Sequence, residues 1–175
     1  GFVFAQKSKR YLPPEQAAEL RRALSKEITP AGVFVNEPIE NILTLLENGV
    51  IGAAQLHGGE SADTVHALMR RTDRPVIQAF RVETAADMER AAASPATMIL
   101  LDNGAGGTGE TFDWSLIRDA GRPFFLAGGL SAENVGAAIS RCRPYAVDSS
   151  SRLETDGAKD YWKMKAFVEA VRERG

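Results

Sequence analysis

Short, nearly unbroken apolar runs recur along this chain, and each is followed by a segment of helical period. The runs are Gly1–Phe4, Ala31–Val35, Ala53–Leu56, Val76–Phe80, Met98–Leu101, Phe124–Ala127 and Tyr145–Val147. They are rich in β-branched and aromatic residues and mostly lack polar alternation, which is how strands covered on both faces read. Strict strand-then-helix order implies parallel strands joined by right-handed helical crossovers. The class is therefore α/β, built from seven βα units, as an open doubly wound sheet or as a barrel. At 175 residues the chain is long enough for one domain with a substantial core.

Helix boundaries follow from local chemistry. The first helix opens at Pro13-Pro14-Glu15, proline suiting a first turn, and carries Ala17, Ala18, Leu20, Ala23 and Leu24. The second buries Ile39, Ile42, Leu43 and Leu46 and stops at Asn48-Gly49. Ser61 starts the third, and Thr84 caps the fourth with Asp87 three residues on. A fifth is expected over Asp113–Ala120, ending at Gly121. A sixth is expected from Ser131, whose spacing to Asn134 approximates a capping box. The last runs from Asp160 to Arg174.

Composition narrows function. Hydrophobic residues make up 44% and charged residues 25%, the shares of an ordinary globular domain. A net charge of -2 argues against a general nucleic-acid binder, which needs a basic surface. No stretch approaches the roughly 20 apolar residues that span a bilayer, and no secretory signal is read at Gly1-Phe2-Val3-Phe4. One cysteine, Cys142, excludes an intrachain disulfide and fits a reducing cytoplasm.

The chemistry concentrates where strands end. Met98-Ile99-Leu100-Leu101-Asp102 drives an apolar run into a carboxylate, and Asn103-Gly104-Ala105-Gly106-Gly107-Thr108-Gly109 follows at once. In parallel α/β folds ligands bind at the C-terminal strand ends. A carboxyl group there suits a general acid, although such a residue often only caps a loop. The glycine-rich run lacks both the Rossmann spacing and the Gly-Lys-Ser/Thr of a P-loop. It reads as a ligand-contacting loop rather than a plain connector.

Gly128-Gly129 and Ser150-Ser151 end the last two strands. Glycines let the backbone approach an anion, and serines add hydroxyl donors. Either pair alone is weak, but together they fit the phosphate site that (β/α)8 barrels build after strands seven and eight. Lys7-Ser8-Lys9-Arg10 follows the first strand, where an arginine can grip a carboxylate in bidentate fashion. His57 is a possible polar contact. His66 reads as a surface residue, Cys142 as inert, and Trp114 and Trp162 as residues packing against the barrel exterior.

These residues resemble the phosphoribosylanthranilate isomerase family of tryptophan biosynthesis over the whole length of the chain. The resemblance rests on Gly1-Phe2-Val3-Phe4 with Lys7-Ser8-Lys9-Arg10-Tyr11, Gly32-Val33-Phe34-Val35-Asn36, Gln55-Leu56-His57-Gly58 and Leu100-Leu101-Asp102. It continues through Gly106-Gly107-Thr108-Gly109, Thr111-Phe112-Asp113-Trp114, Ala127-Gly128-Gly129-Leu130, Glu133-Asn134-Val135 and Arg143-Pro144-Tyr145-Ala146-Val147-Asp148.

It implies a (β/α)8 TIM barrel and a cytoplasmic enzyme. The reaction is an Amadori rearrangement of N-(5-phosphoribosyl)anthranilate to 1-(2-carboxyphenylamino)-1-deoxyribulose 5-phosphate, with no metal or cofactor. Asp102 matches the general acid that opens the ribose ring, and Arg10 matches the arginine on the anthranilate carboxylate. His57, Gly106 and Gly107 are expected to contact substrate, and Gly128, Gly129, Ser150 and Ser151 to bind phosphate. The expected partner is a small phosphosugar, not nucleic acid or membrane, with the protein a monomer or homodimer.

The sequence departs from the family's pattern in three places. Ser149 stands for a usual valine, and Arg152 for a usual glycine. The family's first βα unit, with its general-base cysteine in a Lys-Ile-Cys-Gly segment, has no counterpart here, and Cys142 cannot replace it by position. Residues 1–175 therefore read as one N-terminally incomplete barrel domain. We expect a preceding unit to belong to the protein and these residues alone to be impaired in turnover. The competing readings are a non-catalytic fragment that binds phosphate or self-associates through open strand edges, and another phosphosugar enzyme on the same barrel.

Overall fold

The computed structural model describes residues 1–103, 114–117 and 120–173. It divides into two compact units, Gly1–Ala79 with Ser94–Met98, and Phe80–Ala93 with Ile99–Gly175.

The first unit holds β1 (Phe2–Val3), α1 (Pro14–Ala23), β2 (Ala31–Phe34), α2 (Ile39–Glu47), β3 (Ala53–Leu56), α3 (Ala62–Met69) and the start of β4 (Val76–Val82). Neighbouring strands pair in parallel, with Phe2 opposite Gly32, Val33 opposite Gln55 and Gln55 opposite Ile77. Phe34, Ile42, Leu56, Val65, Leu68 and Val76 are fully buried and form the core. The apolar face of α2 supplies Ile42, Leu43, Leu45 and Leu46. Gly49, at φ +66°, ends that helix in the left-handed conformation expected of its C-terminal glycine.

The second unit holds α4 (Ala85–Ala92), β5 (Met98–Asn103) from Ile99, β6 (Phe124–Leu126), α5 (Val135–Cys142), β7 (Ala146–Val147), the hairpin β8 (Glu154–Thr155) and β9 (Ala158–Lys159), and α6 (Tyr161–Arg172). Leu101 lies opposite Leu126, and Leu126 opposite Val147, all in parallel. Ile99, Leu101 and Leu126 pack with Val135, Ala138 and Phe167 of the helices.

The observed order confirms the α/β class and the seven parallel strands expected from alternation. Three elements differ from expectation. Among the described residues of 113–120 the backbone makes a 3-10 turn at Trp114–Leu116 rather than an α-helix. α5 begins at Val135 rather than Ser131; the Asn134 side-chain oxygen does accept the Ser131 N–H (2.8 Å), the contact the expected spacing allows, but it lies in a turn ahead of the helix. Trp162 does not pack inward. It is 71% exposed, stacked edge-on with Tyr161 and lying under the Lys165 ammonium.

The start of α4 is a full capping box, as its sequence predicts. The Asp87 carboxylate accepts the N–H groups of Glu83 (2.9 Å) and Thr84 (2.8 Å), the Thr84 hydroxyl (2.9 Å) and the Arg90 guanidinium (2.5 Å). The backbone hydrogen bond from Glu83, followed by that of the Thr84 hydroxyl, holds its pKa below the ordinary carboxylate value. A carboxyl depressed in the folded state stabilises above its unfolded pKa, about 3.9, and that stabilisation fades as pH falls through the folded value. Urea denaturation should therefore show Asp87→Asn less stable than wild type at pH 7, with the gap narrowing toward pH 3. A gap independent of pH would contradict this. Thr84→Ala should cost about 1 kcal/mol.

Candidate active site

β5 carries the acid. Ile99 and Leu101 face the helices, so strand alternation turns Leu100 and Asp102 to the opposite face of the sheet. Leu100 is fully buried there, while Asp102 is partly exposed at the C-terminal edge. The Leu101 carbonyl accepts the Ala127 N–H (2.8 Å), and the Leu126 carbonyl accepts that of Asp148 (2.8 Å). Asp102, Ala127 and Asp148 thus stand one residue past the last paired row. The glycine and serine pairs lie just beyond them, and register alone gathers these groups at adjacent strand ends.

The two loops that follow are clamped by polar side chains. Gly128 (φ 92°) and Gly129 (φ 67°) adopt left-handed conformations that disfavour a Cβ. Asn134 donates to the Gly129 carbonyl (3.0 Å) while accepting from Ser131, so one amide fixes both sides of the turn. The Ser149 hydroxyl donates to the Leu130 carbonyl (2.6 Å), tying the end of β7 to the loop after β6. A valine at 149 cannot make that bond, which gives the departure at this position a physical role. Ser150 precedes a single 3-10 turn, Ser151–Leu153, and its carbonyl accepts the Lys159 ammonium (2.9 Å).

Arg152 lies within this turn. It lines a groove of about 530 Å³ with Glu133, Glu154, Trp162 and Lys163. The Glu133 carboxylate is held below its ordinary pKa, chiefly by a hydrogen bond from Ser131, with Arg152 and Lys163 adding to the effect.

The first unit carries its own candidates. Arg10 lies in the loop after β1, partly exposed, its backbone N–H donating to the Ser8 hydroxyl (3.1 Å). His57 is exposed just after β3, with Nδ1 3.1 Å from the Gln55 amide nitrogen.

The loop that holds His57 rests on a residue the sequence reading passed over. Buried Glu60 accepts the N–H groups of Asn36 (2.8 Å) and Gly58 (2.9 Å). The Gln78 amide donates to the Glu60 carbonyl (2.8 Å), and Ser94 donates to Gln78 (2.6 Å). A Cβ at Gly58 would fall 2.6 Å from the Asn36 nitrogen, so glycine is required by close approach.

Gly106 and Gly107 lie outside the described residues. His66 is exposed on α3, as expected. Cys142 ends α5 with its thiol pKa pushed up by burial, which disfavours the reactive thiolate. Among the described residues, no three His, Cys, Asp or Glu side chains cluster so as to hold a metal ion, and no helix is long and apolar enough to cross a membrane.

An acid, a glycine pair and a serine pair stand at the C-terminal strand ends, where parallel α/β enzymes as a class bind their ligands. Known proteins narrow the class. Residues 1–170 match the family profile described as N-(5'-phosphoribosyl)anthranilate (PRA) isomerase. The N-(5'-phosphoribosyl)anthranilate isomerase of Thermoanaerobacter sp. (strain X514) is 43% identical over 178 residues, covering 98% of this chain and 86% of that protein. A solved phosphoribosyl anthranilate isomerase in complex with reduced 1-(o-carboxyphenylamino)-1-deoxyribulose 5-phosphate is 41% identical. It superposes with a TM-score of 0.88, covering 99% of this chain and 86% of that one. A structure of monomers generated from the dimeric enzyme of Thermotoga maritima is 41% identical, with a TM-score of 0.86 and the same coverage. The chain belongs to the phosphoribosylanthranilate isomerase family. Its fold is the family's TIM-barrel type, and its activity is that of an isomerase in tryptophan biosynthesis.

Proposed function

We propose that Asp102 is the general acid of the isomerisation. Its carboxyl proton passes to the ribose ring oxygen of N-(5'-phosphoribosyl)anthranilate. The C1–O bond breaks as the anthranilate nitrogen lone pair forms a C1=N bond. Loss of the C2 proton to a base, then tautomerisation, yields the 1-amino-1-deoxy ketose. The observation that supports this most is the register of β5, β6 and β7. It sets Asp102 on the face away from the helices, beside the glycine and serine pairs. Gly128, Gly129, Ser150 and Ser151 receive the phosphate through backbone N–H groups and hydroxyls. Arg10 grips the anthranilate carboxylate, and His57, Gly106 and Gly107 contact the substrate.

The direct test is the loss of anthranilate fluorescence on turnover by the protein. Arg10→Ala should raise KM about 10- to 100-fold, the loss of a charge-assisted bidentate contact, with kcat changed little. An unchanged KM would remove Arg10 from the site. The reading includes a cytoplasmic enzyme, monomeric or homodimeric. Sedimentation equilibrium decides between the two states, and a larger assembly would contradict both.

A further inference from the structure

The hairpin that follows the serine pair has no role in the chemistry above, yet one of its side chains reaches back to the phosphate loop. Glu154 of β8 and Lys159 of β9 stand directly opposite each other, with Asp156 (φ 51°) and Gly157 (φ 81°) forming the two-residue turn between the strands. The Lys159 ammonium donates to Glu154 Oε1 (2.9 Å), to the Ser150 carbonyl (2.9 Å) and to Ser150 Oγ (3.3 Å). An ammonium has three N–H donors, and each has an acceptor here. The Glu154 side chain is only 7% exposed, so the pair's anchor is fixed by packing.

The chemistry of that contact has a direction. Ser150 Oγ accepts from the ammonium, so its own O–H proton points elsewhere. The nearby positive charge also polarises that O–H toward an external acceptor. We propose that Lys159 is a positioning residue for phosphate. It turns the Ser150 hydroxyl into a dedicated donor to a phosphate oxygen, without touching the phosphate itself. This rests on the reading of Ser150 as part of the phosphate loop.

The test uses two probes, reduced 1-(o-carboxyphenylamino)-1-deoxyribulose 5-phosphate and the same compound without its phosphate, titrated calorimetrically. Lys159→Met should weaken binding of the phosphorylated compound about tenfold, one lost hydrogen-bonding contact. The dephosphorylated compound should change by less than about twofold. Lys159→Arg should return to within about threefold of wild type, since it restores a donor and the charge. In a Ser150→Ala background the Lys159→Met effect should shrink to about twofold, because the two act as one unit.

Equal weakening for both compounds would overturn the proposal in favour of a purely structural hairpin. A full Lys159→Met effect without the Ser150 hydroxyl would overturn it in favour of direct charge attraction. Wild-type protein that binds both compounds equally would instead remove the phosphate-loop reading, and that result needs no variant.

Discussion

If Asp102 is the general acid proposed above, Asp102→Asn should lower kcat about 1000-fold, within the range a general acid contributes, while the thermal unfolding midpoint stays close to wild type. The amide is nearly isosteric and keeps hydrogen-bonding capacity, so the loss is specific to the transferable proton. Stability is spared because Asp102 stands partly exposed at the strand end, one residue past the buried Leu101. The measurement is anthranilate fluorescence under single-turnover conditions, with substrate affinity measured separately. If the amide variant turns over within about tenfold of wild type, the ring-opening proton comes from another group.

Glu60→Ala should destabilise by about 3 kcal/mol, because two partly buried backbone N–H groups, those of Asn36 and Gly58, lose their acceptor together. Glu60→Gln retains one carbonyl oxygen and costs distinctly less. Urea denaturation of both variants measures the difference. The same change loosens the loop behind Leu56, so Glu60→Ala should raise KM as well as lower stability. A stability loss no larger than that of Glu60→Gln would show that water satisfies those donors and that the carboxylate is not the brace.

Much of the fold was legible because its signals are local. The capping box at Thr84 and Asp87, the Ser61 cap and the Asn48-Gly49 stop depend on a few neighbouring residues, and all three formed as read. The strand at 124–126 was legible because it is an uninterrupted apolar run, and that at 53–56 because only Gln55 interrupts one. The hairpin at 154–159 carried a signal that was overlooked, Asp156-Gly157 between short extended segments. Its strands are only two residues long, too short to show a period. The start of α5 was misplaced for a different reason. Ser131 and Asn134 are both good cap residues by type, and their sequence does not say which of them stands next to the first helical residue.

The candidate site divides in the same way. Asp102, the glycine pair and the serine pair stood out because each ends an apolar run, a property of the chain alone. Glu60 and Lys159 did not, because they act on Asn36, 24 residues away, and on Ser150, nine residues away.

The sequence by itself determined the parallel α/β class, the order of its elements and the acid that ends the fifth strand. Periodicity and capping are set by neighbours along the backbone. Only the tertiary structure decided which face Asp102 presents, which hydroxyl Lys159 reaches and which carboxylate braces the loop at Gly58. Those depend on strand register and on packing between segments distant in the chain, where one residue of slip would send every side chain to the opposite face.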